Sequence, residues 1–116
     1  MNKLLMQKKI EKKETKISWD QPSVMIDRKI RAFSPVPGAW TRIKSHDKRI
    51  KIFKSKIILD NNFSGNSNKC GFVTDNLTVK CGKGSLQIIE LQPEGKGKMN
   101  ANDFLNGFKK RDFFFE

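Results

Sequence analysis

"RIKIFKSKIIL", residues 49–59, is the stretch on which the fold turns. Ile50 and Ile52 share one parity, while Phe53, Ser55, Ile57 and Leu59 take the other. Successive side chains of a strand point to opposite faces, so the apolar face changes sides midway. A β-bulge or a sharp coil does this where a long strand of a small barrel passes from one side to the other.

Working outward, "AWTRIK" (39–44) sets Trp40 and Arg42 against Thr41 and Ile43, and the polar "SHDK" reads as the turn into the long strand. Downstream, "NNFSGNSNKCG" (61–71) is loop by composition. "FVT", "LTVKC" and "LQIIEL" then read as three more strands, the last two joined by the glycine-rich hairpin "GKGS". Before the sheet, Ile26, Ile30 and Phe33 recur at helical spacing over about residues 22–33, and Asp27 stands four before Arg31 for a stabilising pair. Asp20, Pro22 and Ser23 are residue types that start helices. "SPVPG" (34–38) ends this one, because Pro35 and Pro37 push Ser34 and Val36 into extended geometry. After the sheet, Asn100 is a helix N-cap with Asp103 three later, Phe104, Leu105 and Phe108 form an apolar side, and Gly107 ends the helix. The pattern predicts a mainly β protein: a small OB-like or SH3-like five-stranded barrel with an N-terminal flanking helix and a short C-terminal helix. An open sheet with helices is the alternative.

The chain has 116 residues, length for one small domain plus an arm. Residues 1–19 read as a basic arm or linker carrying lysines at 3, 8, 9, 12, 13 and 16, anchored at its end by Trp19, and 20–116 as the barrel domain. Lys and Arg number 24 against 12 for Asp and Glu, a net charge of +12. Solubility alone is met by an excess of about 2 to 8 for a small domain, so a polyanionic partner is expected. No apolar stretch has the length of a signal peptide's core or of a membrane span, and a cytoplasmic protein without a membrane partner is expected.

Chemistry-bearing constellations are sparse. Cys70 and Cys81 lack CxxC spacing, and with His46 as the single histidine no metal site is expected; both cysteines read as buried free thiols on strands. His46 beside Asp47 reads as a solvated turn, and "CGKGS" lacks the spacing of a phosphate-cradling loop. The basic residues carry the functional signal. Lys51, Lys54 and Lys56 on the long strand, Lys80 and Lys83 near the fourth, and the arm lysines are placed to line a phosphate backbone. With no tyrosine, and with Phe and Trp mostly at core-like positions, recognition of RNA backbone and shape is expected over base stacking.

"KISWDQPSVMIDRKIRAFSPVPGAW" (16–40) followed by "GSLQIIELQPEGKGKMNANDFLNG" (84–107) resembles the C-terminal part of the methionyl-tRNA formyltransferase family. The first block is similar to the family's I-x-W and I-R-A-F-x-P-x-P-x-A-W, the second to its L-Q-P-x-G-K-x-x-M-x-A-x-D-F-L-N-G. The resemblance implies a domain that binds initiator tRNA through its linker and barrel. It implies tRNA-binding roles for Lys9, Lys12 and Lys16 in the linker and for Lys51 and Lys54 in the barrel, with Phe53 where a tryptophan is common in the family. Lys56 and Lys80 join them from the strip read above, and Lys96, in the P-x-G-K turn, is placed to meet RNA or another domain. The family's N-terminal domain binds 10-formyltetrahydrofolate and carries the catalytic Asn, His and Asp; this sequence lacks their motif. No catalytic residue, cofactor site or metal site is therefore assigned here, and no activity is expected of this chain alone. The expected partners are initiator tRNA and a separately encoded catalytic domain, with the barrel itself a monomer. Two rivals are the barrel of another folate-dependent formyltransferase and a truncated remnant without binding function, whose exposed apolar patch would include Leu4, Leu5 and "DFFFE" (112–116).

Overall fold

A computed structural model of the chain describes residues 12–58, 69–74, 76–108 and 113–116, and of residues 12 and 13 the backbone alone. Three helices are described: α1 (Lys12–Thr15), α2 (Ser23–Phe33) and α3 (Ala101–Gly107). The strands are β1 (Ala39–Arg42), β2 (Arg49–Ile58), β3 (Phe72–Val73), β4 (Thr78–Lys80), β5 (Ser85–Pro93), β6 (Met99–Asn100) and β7 (Phe113–Phe114). They form one antiparallel sheet in the order β1-β2-β5-β4-β3-β7, with β6 paired to β5. The far edge returns to the first strand: Ile43 bridges Phe115, and Arg42 and Glu116 exchange backbone hydrogen bonds of 3.2 and 2.8 Å. Curling the sheet until its edges meet satisfies backbone groups that would otherwise be left open. The seven strands include the expected five; β6 and β7, two residues each, are additional and too short to show a period.

The face switch of residues 49–59 is a bulge. Ile52 stands opposite Leu91 and Lys54 opposite Glu90, which leaves Phe53 out of register; the ladder shifts again before Ser55, leaving out Ile89 on β5. Before the bulge, Ile50 and Ile52 point into the core, and beyond it Ser55 and Ile57 take over that side. Ser55 Oγ donates to Asp27 Oδ1 at 2.7 Å, and Arg31 Nε meets the other carboxylate oxygen at 2.9 Å. The expected Asp27–Arg31 pair thus also ties α2 to β2. Ile26 and Ile30 of α2 enter the core beside Val73, Val79, Leu86, Ile88 and Leu91.

The helix ends follow local chemistry. Asn100 accepts from the Asp103 amide at 2.8 Å, the expected cap of α3. At α2 the structure differs, for Pro22 occupies the cap position with no side-chain hydrogen bond, and Ser23 is buried against the β4–β5 hairpin with its amide donating to Lys83 O at 2.9 Å. That hairpin fits tightly against the chain entering the helix. The Gly82 amide lies 3.0 Å from both Trp19 O and Gln21 O, and a Cβ at Gly82 would sit 1.9 Å from Asp20 O.

Two further expectations are corrected. At the end of the arm the Trp19 anchor is buried with Thr15 and Ile17, and its indole donates to Thr41 Oγ1 at 2.9 Å and stacks on Phe115 at 5.6 Å. Within "DFFFE", Phe113 and Phe115 are core residues, 4% and 3% exposed, because β7 pairs with β3 and closes onto β1; they form no exposed patch. Leu4 and Leu5, and most of the expected 61–71 loop, lie outside the described residues. Cys81 is buried, and burial pushes its thiol up to about 12, but Cys70 is exposed in the turn before β3.

Candidate nucleic-acid interface

Residues directly opposite in an antiparallel ladder share a face. On β1, β2 and β5 the core face carries Ala39, Ile52 and Leu91 in one row and Thr41, Ile50 and Pro93 in the next. The other face carries Trp40, Lys51 and Gln92 in one row, and Arg42 opposite Arg49 in its neighbour. Past the bulge the outer rows continue with Lys54 opposite Glu90, then Lys56 opposite Gln87 opposite Thr78. The basic residues of the long strand therefore stand along one sheet face because the apolar ones are needed on the other.

Two aromatic rings lie within this cationic face. Trp40 and Phe53 are buried, as their core-like positions lead one to expect, at 9% and 6% exposed, yet they stand apart from the main core cluster. Charged groups cover them: the Arg49 guanidinium lies 4.7 Å from the Trp40 ring centre, the Lys16 ammonium 5.7 Å from it, and the Lys98 ammonium 5.0 Å from the centre of Phe53. Each such contact is worth about 0.5–1 kcal/mol at an exposed site and holds a cation in place at the surface. Lys98 also meets Glu90 at 3.7 Å.

The segment entering the barrel is fixed to the edge of β1. Ile17 N donates to Trp40 O at 2.8 Å, beside the bridge between Lys16 and Trp40. The ammonium of Lys29 on α2 reaches across to Lys16 O at 2.7 Å, and partial burial lowers its pKa. Lys16 is thereby fixed beside the ring it covers.

Of the residues singled out from the sequence, the structure places Lys16, Lys51, Lys54 and Lys56 on this face. Lys80 is opposite Ser85, one row beyond Lys56, with its ammonium held by Cys81 O at 2.8 Å. Lys96 is exposed in the β5–β6 turn and borders a separate crevice of about 200 Å³ with His46, Lys48 and Phe108. Lys9 and the side chain of Lys12 lie outside the described residues. Sequence reading missed Arg49, Lys98 and the outward Trp40. Parity already puts Arg49 with Lys51 and Trp40 with Arg42, but only the register of β1 on β2 brings Arg49 onto the indole.

A closed small barrel with a cationic sheet face, entered by a segment paired to the edge of β1, is the class of module the fold and the site define. The chain belongs to the formyl transferase C-terminal domain family, which matches residues 9–109. It is 41% identical over 99 residues to a methionyl-tRNA formyltransferase of Jannaschia sp. (strain CCS1), covering 85% of this chain and 30% of that protein. With the methionyl-tRNA formyltransferase of Bradyrhizobium diazoefficiens it shares 40% identity over 101 residues, 85% of this chain and 31% of the relative. The chain thus spans about a third of the length of these relatives. Among solved structures, HypX from Aquifex aeolicus in complex with tetrahydrofolic acid superimposes with a TM-score of 0.62 at 16% identity, over 91% of this chain and 21% of HypX. That likeness is one of fold alone. Among the described residues no helix is long and apolar enough to cross a membrane.

Proposed function

We propose that this chain is the tRNA-binding C-terminal domain of a methionyl-tRNA formyltransferase acting in the cytoplasm during translation initiation. It holds initiator tRNA while a catalytic domain, with its 10-formyltetrahydrofolate, transfers the formyl group to the methionyl amine. The observation that carries the reading is the outer face of β1, β2 and β5, where Lys51, Lys54 and Lys56 follow one another beside Arg49 and Lys16. A row of cations at strand spacing suits a phosphate backbone, and the net charge of +12 supplies the long-range attraction. Sequence likeness to named methionyl-tRNA formyltransferases supports tRNA as that polyanion. The reaction chemistry belongs to the catalytic domain, and no residue of this chain is assigned to the cofactor.

The test is a titration of the full chain against uncharged initiator tRNA at several salt concentrations. Binding that weakens linearly in log–log salt is expected, since each neutralised phosphate releases counterions. A folded chain that binds no tRNA at low salt would refute the reading and favour the barrel of a formyltransferase with another substrate.

A further inference from the structure

Between the "SPVPG" loop and the β5–β6 turn the cationic face is indented by a cleft of about 410 Å³. Pro37 and Gly38 from the loop, Glu94 and Gly95 from the turn, and Trp40, Arg49 and Lys51 from the strands are among the residues that line it. The Arg49 guanidinium carbon lies over the indole, 4.7 Å from its centre, while the residue as a whole is exposed and lines the cleft. Glu94 is held at the rim by the Arg49 amide, which donates to Glu94 Oε1 at 2.9 Å.

We infer that this cleft binds one unpaired nucleotide of an RNA, its base stacked on the Arg49 plane and its phosphate met by Lys51 and Lys16. The inference rests on the tRNA-binding reading and sharpens it from backbone contact to a defined subsite. Guanidinium planes are common stacking surfaces for splayed RNA bases, and a plane already backed by tryptophan loses little freedom when a base settles on it. A plain phosphate track needs neither a flat cation nor an indole beneath it. The cleft's volume falls within the usual range for small-molecule sites, roughly 300–1,000 Å³, ample for a single base. Stacking tolerates any base, so the subsite recognises an unpaired nucleotide and not a sequence.

The probes are a blunt-ended RNA duplex and the same duplex carrying an unpaired single-stranded tail, each titrated with the full chain and with Arg49→Lys. Lysine keeps the charge and removes the plane. The tailed RNA is expected to bind about five- to tenfold more tightly than the blunt one, the lower end of what one stacked base contributes. Arg49→Lys should abolish that advantage and leave the salt slope unchanged, and the tailed RNA alone should quench Trp40 emission. Equal affinity for the two RNAs, or an advantage that survives Arg49→Lys, would overturn the subsite and leave backbone binding standing. Failure of both RNAs to bind would overturn the tRNA-binding reading and the subsite with it.

Discussion

Replacing Gly82 with alanine strikes the joint between the barrel and the segment that enters it. Gly82 needs no special backbone angle; what excludes a side chain is space, because its Cβ would lie 1.9 Å from Asp20 O and 2.6 Å from Asp20 C, both backbone atoms. Either the hairpin or residues 19–21 must retreat by more than 1 Å to reach the 3.0 Å below which real Cβ contacts essentially never fall. That retreat strains the bonds from Gly82 N to Trp19 O and Gln21 O and from Ser23 N to Lys83 O. Overpacking costs about 1–3 kcal/mol and each weakened hydrogen bond about 1 kcal/mol, while the stiffer unfolded chain returns about 0.4–1 kcal/mol. The net expectation is a loss of about 3–5 kcal/mol, or about 12–20 °C in Tm for a domain of this size. Thermal and urea denaturation followed by circular dichroism read it, with Gly97→Ala as control, since nothing lies within 4 Å of a Cβ there. A Gly82→Ala chain that melts together with the Gly97→Ala control would refute the packing argument.

Other perturbations separate face from scaffold. Lys51, Lys54 and Lys56 changed together to Ala should flatten the log–log salt slope of tRNA binding by about 2 units, close to 0.7–0.9 per phosphate contact, without moving Tm by more than a few degrees. Asp27→Ala leaves the Ser55 hydroxyl and Arg31 without their shared carboxylate and should cost about 1–3 kcal/mol, whereas Arg31→Ala should cost under about 1 kcal/mol because its side chain is 66% exposed; urea midpoints compare them. The Cys81 thiol is raised from 9.0 to about 12 by burial, so its contribution is complete below pH 9 and lost as pH climbs through that window. Stability should therefore fall more steeply between pH 9 and 12 in the unmodified chain than in Cys81→Ala. In the native chain at neutral pH the exposed Cys70 should react with a thiol reagent, and Cys81 only after denaturation.

The legible part of the fold was whatever a residue-by-residue period could encode. The parity reversal of Ile50 and Ile52 against Phe53 and Ile57 located the bulge, because a one-residue slip is the cheap way to keep apolar side chains inward on both sides of it. Prolines 35 and 37 marked the end of α2, and the Asn100 cap marked the start of α3, since both act within one turn of chain. The missed features depend on contacts distant in sequence. Phe113 and Phe115 read as a possible exposed patch because their cover comes from β3 and from Arg42 and Ile43, some seventy residues earlier. Cys70 read as buried because nothing local distinguishes it from Cys81. In the candidate site, parity gave the lysines of β2, but the pairing of Trp40 with Arg49 depends on the turn between β1 and β2, where Ser45 takes a φ of 75° that composition alone does not specify.

Net charge and the Trp40 cleft make different demands on an RNA. Counterion release from Lys51, Lys54 and Lys56 rewards any stretch of backbone, and an ammonium on a flexible stem does not fix which phosphate it meets. Arg49 and Lys16 are held differently: the guanidinium of one lies over Trp40, and the other belongs to a segment pinned by Lys29 and by the Ile17 amide. Their positions are set before any ligand arrives, so less freedom is lost on binding, and the geometry they impose is that of a single nucleotide. On the proposed reading, the lysines of β2 supply affinity and the pinned pair supplies register. On that same reading, register is what a domain must deliver if an aminoacylated end is to be presented to a separate catalytic site, and an entering segment built into the barrel suits that role better than one trailing from it.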